Sequence, residues 1–122
     1  MQGFNIALLV KQKVKNFKNV YTMFGSMFGT DTDPVIKEMI AKGAAIIDVR
    51  SPGEFQGGHV AGSINIPLQV IENRVAEIKE MGKPVVLCCA SGNRSGQATY
   101  ILQAQGVECE NGGSWLQVNA LV

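Results

Sequence analysis

The sequence predicts an α/β domain built on a mainly parallel sheet. Two observations carry this. AAIIDV (residues 44–49) and PVVLC (residues 84–88) are apolar runs of strand length without the alternation of a half-exposed strand, so they suit burial on both faces. Between and beyond them lie segments with helical spacing, several of them closed by glycine, and this alternation is the mark of parallel strands joined by helical crossovers. With 122 residues, 46% of them apolar, the chain has material for one domain with a real core.

Residues 1–30 read as a basic amphipathic N-terminal extension, and residues 31–122 as the domain. In the extension Val10, Val14, Phe17, Tyr21 and Phe24 recur at spacings of four and three, with the lysines mostly off that stripe. MFGSMFG (residues 23–29) then supplies glycines that end a helix. Such a helix docks on its own domain or on a second copy, or makes weak contact with a membrane surface through its lysines and large apolar side chains. In the domain, Asp31-Thr32-Asp33-Pro34 reads as a cap followed by proline in the first turn of a helix over residues 35–42, closed by Gly43. The strand over residues 44–49 follows. Residues 51–53 turn the chain, residues 54–56 begin a short helix, and Gly57-Gly58 break it. Residues 63–67 form a short strand ended by Pro67. Residues 70–81 form a helix with Val75 and Ile78 inward, capped by Gly82. After the strand over residues 84–88, a helix over residues 95–105 carries Ala98, Ile101 and Leu102 and stops at Gly106. A last strand is expected at residues 107–109, with Asn111-Gly112-Gly113 as a turn before Trp115, Leu116 and Val118.

Charge and cysteine usage narrow the function. The net charge of +1 gives no reason to expect nucleic acid as a partner. It is unevenly spread: Lys11, Lys13, Lys15 and Lys18 stand without an acid in residues 1–30, while the rest holds seven basic and ten acidic side chains. Cys88, Cys89 and Cys109 are odd in number and two are adjacent, which is no disulfide framework. Nothing has zinc-ligand spacing, and His59 is the only histidine, so metal and Ser-His-Asp chemistry both lack support. Free thiols suit a reducing compartment, most simply the cytoplasm. No apolar run reaches the roughly 18–20 residues of a spanning helix, and residues 6–10 lack the flanks of a signal peptide.

The chemistry gathers in CCASGNRS, residues 88–95. It sits between a buried strand and a helix, the junction where parallel α/β sheets bind ligands. A tight turn there aims backbone N–H groups inward as an anion nest, and the helix N-terminus adds partial positive charge. Gly92 supplies the conformational freedom, and Arg94 a forked cation. A thiol at the mouth of such a nest favours its thiolate. Cys89, at the start of the loop, is therefore the expected nucleophile. Cys88 is expected to point into the core, and Cys109 to be structural or to resolve an oxidised Cys89.

IIDVRSPGEFQGGHVAGSINIP (residues 46–67), CCASGNRS (residues 88–95) and ENGGSW (residues 110–115) together resemble a single-domain rhodanese over about residues 31–120. The resemblance implies a rhodanese-like α/β fold, with a central mainly parallel sheet of four to five strands flanked by helices on both faces. It also implies sulfurtransferase activity through a persulfide on Cys89, without a cofactor. The family's active loop maps onto Cys89, Ala90, Ser91, Gly92, Asn93 and Arg94, with Ser95 opening the next helix; residues 90–95 are the expected substrate-binding set. Asp48, Arg50 and Glu54 are implied as a polar cluster supporting the loop, and His59 as a hydrogen-bonded structural residue. A short strand usually precedes the family's first helix. Residues 20–24 have the β-propensity for it but continue the helical stripe, and helix is the reading taken.

Sulfur transfer from thiosulfate or a persulfide to a thiol or cyanide is thus the expected function. A phosphatase is disfavoured because four residues, not five, separate Cys89 from Arg94. A non-catalytic binding module and a thiol redox sensor using Cys89 and Cys109 are the remaining alternatives.

Overall fold

A computed structural model describes residues 33–122. The expectations for residues 1–30, and for Asp31 and Thr32 in the cap, lie outside the described residues.

Helix α1 (Asp33–Ala41) ends at Gly43, whose φ of +92° is one a residue with a Cβ avoids. Strand β1 (Ala45–Asp48) follows. Ser51-Pro52-Gly53-Glu54 is a helix start rather than a separate turn. The Ser51 hydroxyl accepts the Glu54 N–H, and the Glu54 carboxylate accepts the Ser51 N–H, a capping box that opens α2 (Pro52–Gln56). Strand β2 is only Ile64–Asn65.

The helix expected over residues 70–81 divides into a 3₁₀ segment, Leu68–Arg74, and α3 (Val75–Glu80). Arg74, at φ −115° and ψ 11°, leaves the helical basin between them. The division lets Ile71 and Ile78 both reach the core as fully buried side chains. Strand β3 (Val85–Cys89) leads into α4 (Asn93–Ala104), then β4 (Cys109–Ser114) and α5 (Trp115–Asn119).

The four described strands are all parallel, in the order β2-β1-β3-β4. Both faces are covered, as a parallel sheet requires. Ile47, Val49, Leu87 and Cys89 pack with Ile71, Ile78, Ala98 and Leu102 on one face. Ile46, Val86 and Cys88 pack with Ile36 and Val118 on the other. The chain steps outward from β1 to β2, then reverses through β3 to β4. The loops after β1 and β3 therefore part at the carboxyl ends of neighbouring strands, where such sheets hold their ligands.

The last strand corrects the sequence expectation. Asn111-Gly112-Gly113 is not a turn but the middle of β4, with a bulge where the register to β3 shifts between Leu87 and Cys88. The glycine is there for space: a Cβ on Gly112 would lie 2.6 Å from Val118 Cγ2 and 2.8 Å from Val86 Cγ1. Gly112→Ala is accordingly expected to cost about 1–3 kcal/mol by overpacking, read as a lower midpoint in urea unfolding. An unchanged midpoint would show that α5 shifts freely off the sheet.

Candidate active site at the carboxyl end of β3

Cys89 is the last residue of β3, not the first of the loop, and alternation places it and Cys88 on opposite faces of the sheet. The Cys88 side chain enters the core as expected. Burial first, then the Asp48 carboxylate, push its thiol up to about 12, so it stays neutral. Cys89 is also buried, but beneath the exposed Ala90 and Ser91 and against the start of α4.

The turn over Cys89 is made by Gly92 at φ +98°. This left-handed conformation calls for glycine. Its N–H donates to Cys89 Sγ at 3.0 Å. α4 begins at Asn93, two residues earlier than expected, and so brings Ser95 over the sulfur. The Ser95 N–H lies 3.4 Å and its hydroxyl 3.3 Å from Sγ. Burial raises the Cys89 thiol. Donation from the Ser95 hydroxyl and from the amides of Ser95, Ser91 and Gly92 outweighs it and brings the thiol below its ordinary value.

Arg94 departs from its expected place. Its guanidinium does not close the ring around Sγ but makes a bidentate pair with Glu54, Nη1 to Oε1 at 2.7 Å and Nη2 to Oε2 at 3.0 Å. This pair spans the gap between the segments that follow β1 and β3. Arg94 first, and then the Ser51 amide, hold the Glu54 carboxyl down at about 2, so the pair stays ionised at any pH above that.

The support cluster is therefore smaller than expected. Arg50 Nε donates to both oxygens of Asp48 at 3.0 Å, and Nη2 donates to Oδ2 at 2.7 Å. Nη2 also donates to the Gly58 carbonyl at 2.7 Å, and the guanidinium stacks 4.9 Å from the Trp115 ring centroid. Only the backbone carbonyl of Glu54 joins this pair, accepting from Arg50 Nη1. Asn65 closes the end of β1 by donating to the Asp48 and Arg50 carbonyls. His59 stacks on Phe55 with ring centroids 3.7 Å apart, and its Nδ1 lies 2.7 Å from the Phe55 carbonyl. Asp48, Arg50 and His59 thus shape the chain beside the loop, while Gly92 and Ser95 surround the Cys89 sulfur.

Asn111 escaped the sequence reading, because Asn-Gly-Gly reads locally as a turn. It hydrogen-bonds Ser95, Gly92 and Gly113. The pairing of Cys89 with a resolving Cys109 is also corrected. Cys109 stands opposite Val85, four residues back along β3 and roughly 13 Å from Cys89, too far for a disulfide without backbone movement.

Residues 32–115 match the family model described as Rhodanese-like domain. The chain belongs to the rhodanese-like family. Among relatives, the rhodanese-like chain is 48% identical over 63 residues to the uncharacterized protein YqhL of Bacillus subtilis (strain 168), covering 52% of this chain and 49% of that one. It is 42% identical over 69 residues to the thiosulfate sulfurtransferase PspE of Escherichia coli (strain K12), covering 55% and 66%. The matched region therefore spans 49% to 66% of these relatives' own length. The fold is similar to a rhodanese-related protein from Thermoplasma volcanium (TM-score 0.60, 32% identity, covering 72% of this chain and 86% of that one). It is also similar to a rhodanese with anions from E. coli (TM-score 0.57, 38% identity, covering 61% and 89%). Among the described residues of the rhodanese-like chain, no helix is long and apolar enough to cross a membrane.

Proposed function

We propose that this rhodanese-like domain is a sulfurtransferase that carries sulfane sulfur on Cys89, taking it from thiosulfate or a low-molecular-weight persulfide and passing it to a thiol or cyanide. The observation that carries the reading is the set of donors from Gly92 and Ser95 facing one sulfur. The name of the E. coli relative supports thiosulfate as a donor class.

In the first half-reaction the Cys89 thiolate attacks the outer sulfur of thiosulfate. The S–S bond of the donor breaks, sulfite leaves with the bonding pair, and Cys89 becomes a persulfide anion. Cys89 is buried where residues 90–92 begin, so a donor must pass this short loop to reach Sγ. The loop amides then serve the new terminal sulfur as they served Sγ. In the second half-reaction an acceptor thiolate attacks that terminal sulfur, the Cys89 Sγ–S bond breaks, and the Cys89 thiolate returns. The cycle asks for no metal or organic cofactor and no general base. It suits a reducing compartment such as the cytoplasm.

Incubation with thiosulfate followed by intact-mass measurement is expected to show one added sulfur atom, lost again on addition of cyanide. No mass gain with thiosulfate or with a small persulfide would sink the reading.

Glu54 should temper the use of thiosulfate. Its carboxylate neutralises the one cation of the loop, Arg94, so a dianionic donor meets little net attraction. Glu54→Gln keeps a hydrogen-bond acceptor but removes the charge, and is expected to lower the thiosulfate KM by about 3- to 10-fold with little change in kcat. Arg94→Ala should raise it. Equal KM values in both variants would leave anion binding to the backbone alone.

A further inference from the structure

Asn111 makes three hydrogen bonds, two of them to the residues over Cys89. Its Nδ2–H donates to the Gly92 carbonyl at 3.1 Å. Its Oδ1 accepts the Gly113 N–H at 3.0 Å and the Ser95 hydroxyl at 2.7 Å. The partners fix which way the amide points, since an N–H can only donate and a carbonyl can only accept. The two residues it grips are among those that face the sulfur, Gly92 through its N–H and Ser95 through its N–H and hydroxyl.

We propose that Asn111 is the positioning residue of the sulfur-carrying site, holding Gly92 and Ser95 where they stabilise Cys89 as an anion. It touches neither sulfur nor donor and acts through those two residues. Ser95 has one hydroxyl proton and two acceptors, Asn111 Oδ1 and Cys89 Sγ. While Sγ is a thiolate it draws that proton, and Oδ1 keeps the Gly113 N–H. Once Sγ is bound in an S–S bond it is a poor acceptor, and the hydroxyl returns to Asn111. The Ser95 hydroxyl thus has an acceptor in both halves of the cycle.

The surrounding charges leave room for such control. Asp48 and Arg50 beside β1 neutralise each other, as do Glu54 of α2 and Arg94 of α4. Cys88 of β3 faces the opposite side of the sheet and stays neutral. From Asn111 to Ser114, β4 carries no charged side chain. The state of Cys89 then depends on neutral donors, and those are what Asn111 places.

The proposal rests on the sulfurtransferase reading for its purpose, but its test needs no sulfur transfer. The rate of Cys89 alkylation by iodoacetamide, followed by peptide mass against pH, reports the thiolate directly. In the full chain, Asn111→Ala and Asn111→Asp are both expected to move the midpoint of that profile upward. Asp should move it further, because its carboxylate faces the Gly92 carbonyl and sits within about 6 Å of Sγ, the Ser95 contacts laid end to end. At pH below the parent's midpoint the rate should fall by about tenfold for each unit the midpoint moves, while the limiting rate at high pH is kept. Asn111→Asp is nearly isosteric, so it decides the matter if the alanine variant fails to fold. Folded variants that titrate like the parent, or that lose rate equally at every pH, would overturn the proposal. A shifted midpoint in a protein that takes no sulfur from thiosulfate or a persulfide would remove the proposed function and leave the role of Asn111 standing.

Discussion

Cys89→Ser is expected to abolish the sulfur adduct and to lower sulfurtransferase turnover by on the order of 10³-fold or more, the scale of losing a covalent nucleophile. The oxygen of serine would occupy nearly the same place and meet the same donors from Gly92 and Ser95. Those groups stabilise an anion only if the side chain ionises near neutrality, and a hydroxyl does not. The change therefore separates the nucleophile from the nest around it, and fold and donor binding should survive. The neighbouring thiol is the control. Cys88→Ala should keep persulfide formation and lose about 1 kcal/mol of stability, because Cys88 serves as a small apolar side chain beside Ile36 and Val118. Intact mass and steady-state rates on the two variants check both expectations. A persulfide that survives in Cys89→Ser and vanishes in Cys88→Ala would reverse the assignment.

Asp48→Ala should be strongly destabilising, at about 3–5 kcal/mol. Asp48 is fully buried and Arg50 is 5% exposed. Removing the carboxylate leaves a guanidinium in the core with only the Glu54 and Gly58 carbonyls and the Trp115 ring to face. Against the roughly 5–15 kcal/mol that holds a typical domain together, that loss unfolds an appreciable fraction of the chain. Urea unfolding gives the measurement. Replacing both partners by apolar residues, Asp48→Leu with Arg50→Met, should recover much of the loss, since no unpaired charge is then buried. A double variant no more stable than the single one would mean that the hydrogen bonds of Arg50 to the segment after β1, and not charge pairing, are what the fold needs.

Much of this was legible in the residues. β1 and β3 are buried on both faces, so their sequences are plain apolar runs, and the helices between them end in glycine. Cys89, Gly92 and Ser95 were found because the loop is contiguous in sequence, and a nest needs only local geometry. β4 was misplaced because its middle is written in Asn-Gly-Gly. The close approach of Val86 and Val118 demands the missing side chains there, while local propensity reads the same letters as a turn. The 3₁₀ segment reads as α-helix in the sequence because over so short a length both helix types present apolar side chains inward. The roles of Arg94 and Asn111 were out of reach for one reason. Glu54 lies 40 residues from Arg94, and Asn111 lies 16 from Ser95 and 19 from Gly92.

By itself, then, the sequence determined which thiol opens the loop and what kind of sheet presents it, because a buried parallel strand and an anion nest are each written in adjacent residues. Only the tertiary structure decided how that nest is governed. It turned Arg94 away from the sulfur onto Glu54, kept Cys109 at the far end of β4, and laid Asn111 against the loop. Each of these follows from which strand ends the β2-β1-β3-β4 order brings side by side, and no local pattern of residues encodes that.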